Sequence, residues 1–151
     1  MKKILLMTAL GLSFAFAGSV APVNNALYQK ECASCHFGYQ PALLSKTSWE
    51  KVMENLSDHF GTDASLGKAE HDQILAYLIH NAGSGKIAAN NTSMRITESP
   101  KFIKEHREVP ARLIKQKEVG SLSNCSACHT LADQGNYSER AIKIPNYGRW
   151  E

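Results

Sequence analysis

The sequence predicts an all-α protein in which short helices are separated by long loops. Two stretches place apolar residues at helical spacing: Trp49, Val52, Met53 and Leu56, and then Ile74, Leu75 and Leu78. Ser99 and Pro100 stand in the order that favours the start of a further helix. No two apolar runs are joined by the turn residues of a β-hairpin. We therefore expect helices and loops without paired strands.

Local signals place the helices of the first half. Asn24 or Asn25 caps a helix that runs into residues 32–36. Residues 47–50 resemble a capping box that starts the second helix, and Ser65 can start the third. The third helix should end at Ala82, because a glycine follows.

The second half carries weaker signals. Residues 82–94 are rich in glycine, serine and asparagine, which indicates a linker. The helix that begins after Ser99 should finish near Glu108, because a proline at position 110 restricts the residue before it. Ser123 or Asn124 can cap a last helix, and the tail beyond it shows no periodicity.

Two CxxCH pentapeptides occur in the chain, at residues 32–36 and 125–129. This pattern is typical of covalent c-type haem attachment, in which two thiols form thioethers and the histidine is the proximal iron ligand. The residues concerned are Cys32, Cys35 and His36, and then Cys125, Cys128 and His129. Together the motifs use all four cysteines, so we expect two covalently bound haem c groups.

Other uses of a CxxC pair fit less well. A thioredoxin-like redox pair needs a βαβ context, which the sequence lacks. A structural zinc site could combine the two pairs, but the two adjacent histidines would then have no explanation. Haem attachment is therefore the preferred interpretation.

The N-terminus reads as a secretory signal. Lys2 and Lys3 precede an apolar stretch from Ile4 to Phe16, and a small-x-small site ends at Ala17. A retained membrane anchor is the alternative, although the stretch is short of the roughly 20 residues that a spanning helix needs. We predict a signal peptide at 1–17 and a periplasmic protein.

Charge gives no reason to expect nucleic-acid binding. The formal net charge of +3 falls to +1 without Lys2 and Lys3. No basic run and no nucleic-acid motif is present. We expect no nucleic acid among the partners.

The second axial ligand of each iron must come from the remaining histidines or methionines. His59 continues the first apolar stripe at the next turn, whereas His71 shares a face with Ile74 and is its chief rival. His80 falls on another face and should be solvated.

In the second half the same argument favours His106. It stands one turn after Phe102, and Met94 is a weaker alternative in a loop. Nearness in sequence suggests the pairs His36/His59 and His106/His129, with a crossed pairing left open. We expect the other ring nitrogen of His36 to donate to a carbonyl near Pro41.

The first half, from about residue 24 to 82, resembles a class I cytochrome c domain. An early CxxCH helix, a loop, a middle helix and a final helix with Ala76-Tyr77-Leu78 carry the likeness. The departure is the loop before the last helix, which holds His59 where such domains usually supply a methionine. The domains expected are 18–85, cytochrome c-like, and 86–151, a short, loop-rich helical segment with the second haem.

The chain as a whole resembles the small dihaem cytochrome c family of bacterial periplasms. The residues that carry this are CASCHFGYQPALL, LSDHFGTDASL, RITESPKFIKEHREVPARL and GSLSNCSACH, within residues 32–129. The resemblance implies two bis-histidine haems and an electron-transfer role. It also implies redox partners, namely a membrane b-type cytochrome and an oxygen-binding monohaem c-type protein.

Closed axial coordination favours outer-sphere electron transfer, and histidine in place of methionine favours a low potential. We therefore expect a monomeric electron carrier that is not an enzyme. The alternative is a haem enzyme or gas-binding protein, such as a peroxidase or an oxygen- or nitric oxide-binding protein, with one open iron.

Overall fold

The computed structural model describes residues 18–85 and 92–150. The described chain is mainly helical, with single 3-10 turns between the longer elements. The helices are α1 (Ala26–Glu31), α2 (Lys46–Glu54), α3 (Lys68–His80), α4 (Pro100–His106) and α5 (Ala111–Ile114). The predicted signal peptide, 1–17, lies outside the described residues. Within the described ranges no helix is both long and apolar enough to cross a membrane.

The first half is built on a core between α2 and α3. The predicted stripes are buried there, with Trp49 at 5 % and Ile74 at 0 % exposure. Tyr28 of α1 and Leu44 complete the same apolar cluster. Removing such side chains from water is the main force that holds these short helices together, since isolated helices of this length are marginal.

Helix starts agree with the predictions at α1 and α4 and differ at α2 and α3. Asn25 caps α1 by accepting from the Tyr28 amide at 2.8 Å. Ser45, rather than Thr47, caps α2 by accepting from the Ser48 amide at 3.0 Å. Gly67, rather than Ser65, precedes α3. Each cap lies two positions from the predicted residue, because Ser45 and Gly67 have the extended backbone that an N-cap requires.

The second half has little regular structure. Ser99 caps α4 as predicted, but α4 ends at His106 rather than near Glu108. The expected last helix is only a 3-10 turn, Cys125–Ala127.

The expectation of no paired strands is wrong at the C-terminus. β1 (Lys143–Ile144) pairs antiparallel with β2 (Gly148–Arg149), with Ile144 opposite Gly148. Asn146 in the connecting turn has φ +57°, a left-handed conformation that asparagine tolerates well. Strands of two residues are too short to show alternation in the sequence, so this hairpin gave no pattern.

The N-terminal strap, residues 18–20, runs beside the C-terminal tail. The Val20 amide donates to the Gly135 carbonyl at 2.8 Å, and the Tyr137 amide donates to the Gly18 carbonyl at 3.0 Å. Gly135 has φ +73°, and a Cβ there would lie 2.0 Å from the Val20 carbonyl oxygen. Only glycine permits this approach.

The end of the predicted linker and the residues just after it return to the first core. Met94 and Ile96 pack against it. The Lys51 ammonium donates to the Thr92 carbonyl at 3.3 Å. Both sides of the predicted boundary at residues 85 and 86 therefore contribute to the packing of the first half.

Candidate haem-binding sites

The first CxxCH motif follows directly after α1. Cys32 is the C-cap of that helix, so the motif forms a turn and not the continuation of a helix. Nδ1 of His36 lies 2.8 Å from the carbonyl oxygen of Phe37, the next residue. A carbonyl can only accept, so Nδ1 carries the proton and Nε2 keeps a lone pair for a metal. The expectation of a partner near Pro41 is wrong, because Trp49 Nε1 donates to the Pro41 carbonyl at 2.7 Å.

His59 lies beside His36. The two imidazole rings have centroids 6.2 Å apart and planes inclined by 23°. His59 is not on α2 but follows a 3-10 turn, and its amide donates to the Thr62 carbonyl at 2.7 Å. The apolar stripe predicted that His59 lies on a helix facing the first core. His59 does lie beside His36, but it follows a 3-10 turn instead of lying on the helix.

Phe60 and Arg95 cover the outer side of His59. The Phe60 ring centroid lies 4.8 Å from that of His59, and the Arg95 guanidinium carbon lies 4.0 Å from the Phe60 ring centroid. Phe60 has φ +56°, which is strained for a bulky residue and is of the kind that functional sites hold in place. Residues of the second segment thus help to fix a ring of the first site.

The second CxxCH motif and His106 form a similar pair. The His106 and His129 ring centroids are 6.0 Å apart, and their planes are inclined by 65°. His106 ends α4, its Nδ1 lies 2.9 Å from the Phe102 carbonyl oxygen, and its ring stacks on Phe102 at 3.8 Å. His129 Nδ1 is buried without a hydrogen-bond partner among the described residues.

Both spacings suit a metal held between two imidazoles. An imidazole nitrogen bonds a transition metal at about 2 Å and lies about 1.2 Å from its ring centroid, so two axial rings have centroids roughly 6.3 Å apart. The observed 6.2 Å and 6.0 Å agree with that figure. The stacked rings of Phe102 and His106, by contrast, lie 3.8 Å apart. The residues present therefore fit a six-coordinate haem at each site.

The rival histidines lie elsewhere, whereas Met94 lines a small cleft beside His59. His71 is half-exposed, with its Nδ1 3.1 Å from an Asp72 carboxylate oxygen. His80 is exposed at the end of α3, as expected. Met53 is 3 % exposed in the first core, where core packing was expected.

A cavity of about 450 Å³ lies between the residues of the second site. His106, His129, Cys125 and Cys128 line it together with apolar side chains and the N-terminal strap. Its walls thus combine thiol, imidazole and apolar groups, the set to which a porphyrin could attach covalently. A cleft of about 10 Å³ lies beside His59.

Burial favours the neutral form of two of the candidate ligands, His129 and His59. Desolvation, and then the neighbouring His106, lower the pKa of His129 to about 4. Desolvation also lowers the pKa of His59, and the neighbouring His36 and Arg95 add to the effect. Metal ligation needs the neutral imidazole, so both histidines are in the form that binds iron at neutral pH.

The first cysteine of each motif is a partly buried thiol. Burial raises the pKa of both Cys32 and Cys125 to about 11, so these thiols stay protonated at neutral pH. All four cysteines are free of disulfides. Among the residues described, no group of three or more His, Cys, Asp or Glu side chains converges to hold a metal ion.

Sequence reasoning missed the residues that join the two sites. Tyr39 and Gln40 follow the first motif and bind carbonyls of the second segment, and Tyr137 packs on His129 at 5.3 Å between ring centroids. The hydrogen bonds of Tyr39 and Gln40 join residues more than 80 positions apart, so no local pattern could reveal them. The one available signal in the sequence was the polar pair Tyr39 and Gln40 shortly after the first haem motif.

Comparison with known proteins agrees with this geometry. The sequence profile of the dihaem cytochrome c family matches residues 28–137. A diheme cytochrome c from Shewanella baltica is 39 % identical, with a TM-score of 0.74, over 84 % of this chain and 98 % of that one. No curated protein matches the chain.

Two structures from Rhodobacter sphaeroides are also similar. The diheme cytochrome c is 39 % identical with a TM-score of 0.71, over 78 % of this chain and 100 % of that one. The protein described as DHC purified from the organism is 41 % identical with a TM-score of 0.67, over 77 % and 99 %. With two haem motifs, a mainly helical fold and these matches, the chain belongs to the dihaem cytochrome c family, which implies two c-type haems and an electron-carrier role.

Proposed function

We propose that this cytochrome transfers electrons through two low-potential, bis-histidine haems. Cys32 and Cys35 attach the first, and Cys125 and Cys128 attach the second. The axial pairs are His36 with His59 and His106 with His129. The observation that carries the proposal is the ring spacing of 6.2 Å and 6.0 Å in two independent pairs, which also argues against a crossed pairing.

Closed coordination supports a carrier rather than an enzyme. An iron with two axial imidazoles changes its oxidation state without binding oxygen or peroxide, and histidine gives a lower potential than methionine. The chain's own contribution is to hold the imidazoles in place. For His106 this is done by the Phe102 carbonyl and ring, and for His59 by Thr62, Phe60 and Arg95.

The remaining parts of the proposal concern context. A first half of the class I cytochrome c type is supported by the order of α1, α2 and α3 and by the position of the motif after α1. A periplasmic location is supported by the export-like N-terminus and by the attachment chemistry. We propose a monomer whose redox partners are a membrane b-type cytochrome and an oxygen-binding monohaem c-type protein, and contacts between such partners are generally small and transient.

Absorption spectra of the mature protein test the proposal. The protein is made with the cytochrome c maturation system, its haems are counted, and ferric, ferrous and ferrous-plus-CO spectra are recorded. Two low-spin haems whose spectra ignore CO are expected. A haem that is high-spin and binds CO would mean an open iron site, and the protein would then be a candidate haem enzyme or gas-binding protein.

A further inference from the structure

Two consecutive residues of the first segment reach into the second haem site. The Tyr39 hydroxyl donates to the Ser123 carbonyl at 2.9 Å, two residues before Cys125. The Gln40 amide nitrogen donates to the Ala132 carbonyl at 2.6 Å, three residues after His129. The second motif is therefore held on both sides by one dipeptide.

Tyr39 also touches the first site. Its ring centroid lies 5.3 Å from that of His36, and its own carbonyl accepts from the Tyr28 hydroxyl at 2.8 Å. The side chain thus begins at an axial ring of one haem site and ends in a hydrogen bond two residues from a thioether cysteine of the other.

Gln40 has no freedom to move. Its side chain is 0 % exposed, and its amide oxygen accepts from the Tyr137 hydroxyl at 2.6 Å while its nitrogen serves Ala132. The Tyr137 ring packs on His129 at 5.3 Å between centroids. A buried polar side chain with both ends satisfied fixes a single geometry, because any displacement leaves unpaired polar groups at about 1–3 kcal/mol each.

We propose that Tyr39 provides the electronic contact between the two haem sites and that Gln40 is the positioning residue that fixes the distance over which it acts. One electron leaves a ferrous iron, which becomes ferric, and reduces the ferric iron of the other site. The phenol is neither oxidised nor deprotonated in this step. It would supply a path that begins with the ring contact to His36, crosses the hydrogen bond to the Ser123 carbonyl and follows the backbone to Cys125. This inference rests on the proposed bis-histidine carrier.

The test compares Tyr39→Phe with wild type in the half-reduced state. Haem methyl resonances distinguish the two haems by NMR, and exchange spectroscopy at several protein concentrations separates intramolecular from intermolecular electron exchange. Tyr147→Phe is the matched control, because Tyr147 is 51 % exposed on the C-terminal hairpin. The expected result is a several-fold slower intramolecular exchange in Tyr39→Phe, with the control and the intermolecular rate unchanged.

Stability separates an electronic from a merely structural role. Tyr39→Phe keeps the ring and removes one hydrogen bond, so the protein should fold and show only a small decrease in its denaturant midpoint. An unchanged exchange rate in that variant, with both haems still low-spin, overturns the assignment of Tyr39. A wild-type protein that binds CO would instead refute the proposed function, which keeps the two failures distinct.

Gln40→Met tests the positioning role, with Gln29→Met as its control, because Gln29 is exposed and its bond to the Val23 carbonyl stays within the first half. Faster hydrogen exchange at residues 132–137 together with slower electron exchange supports the role. If hydrogen exchange becomes faster in Gln40→Met while the electron exchange rate stays unchanged, the positioning role of Gln40 is overturned.

Discussion

The two haem sites of this small chain are built in opposite ways. The first lies beside a helical core formed by α2 and α3. The second surrounds a cavity of about 450 Å³, whose lining includes the buried Leu113, Val119 and Ile144. The difference teaches that a haem in the second site would pack against much of the apolar surface of its half, whereas the first half already has an apolar core between its helices.

The sites also differ in what surrounds their imidazoles. His36 has a carbonyl partner at Nδ1 and nearly parallel rings at 23°, whereas His129 has a buried Nδ1 without a partner and rings at 65°. A hydrogen bond at Nδ1 makes a histidine a more basic ligand and stabilises ferric iron. Burial disfavours the more highly charged ferric state. Both effects place the second haem at the higher potential.

The largest expected effect comes from removing the second attachment. In Cys125→Ala/Cys128→Ala, a cavity of about 450 Å³ would stay open to water, so its apolar walls would lose the burial that a haem gives them. Hydrogen exchange should show residues 100–150 unprotected while α2 and α3 stay protected. Protection of both halves in this variant would show that the second half has a core of its own.

Next come the distal ligands. His106→Ala and His59→Ala should each leave one haem high-spin and able to bind CO, because each removes one axial nitrogen. Absorption spectra with and without CO measure this, with His71→Ala as the matched control, since His71 is paired with Asp72 away from either motif. A fully low-spin His106→Ala protein would remove His106 from the ligand set.

A smaller effect is the order of potentials. We expect the second haem to be more positive than the first by tens of millivolts, within the range of about 0.8 V that proteins impose on haems. Methionine raises the potential of the haem it ligates. In a spectroelectrochemical titration, His106→Met should therefore move the upper of the two steps, and His59→Met the lower. The reverse assignment would show that burial and the unpaired Nδ1 do not set the order.

The smallest effect concerns the strap that walls the second cavity. Gly135→Ala places a Cβ 2.0 Å from the Val20 carbonyl oxygen, whereas Gly120→Ala, at φ +70°, meets nothing within 4 Å. Both variants lose about 1–2 kcal/mol to the left-handed backbone, and only Gly135→Ala adds a clash of about 1–3 kcal/mol. Denaturant unfolding should rank them accordingly. Equal losses of stability in the two variants would mean that the N-terminal strap shifts away from the added Cβ without a cost in stability.

The sequence predicted the first site better than the second for a physical reason. Trp49, Val52 and Ile74 pack on other helices, so their burial appears as helical spacing. Leu113, Val119 and Ile144 face a cavity made for haem, and a haem imposes no period on the chain.

Candidate ligands could be proposed from the sequence because an iron needs defined atoms and the chain offers few histidines. The N-cap of α2, the C-terminal hairpin and the Tyr39–Gln40 contacts could not be predicted. An N-cap can lie two residues from the predicted one where several serine or threonine side chains are close in sequence. Strands of two residues are too short to show alternating apolar and polar residues. Tyr39 and Gln40 act through partners 84 and 92 positions away.

Low-temperature electron paramagnetic resonance of the ferric protein tests the central claim of two different bis-histidine sites most directly. Parallel imidazole planes separate the energies of two iron d orbitals, whereas perpendicular planes leave them nearly equal. The rings at 23° should give a rhombic low-spin signal, and the rings at 65° a low-spin signal with a much larger maximum g value. Two such signals, one haem each, are the expected result. A high-spin signal from one haem, or two identical rhombic signals, would contradict the account.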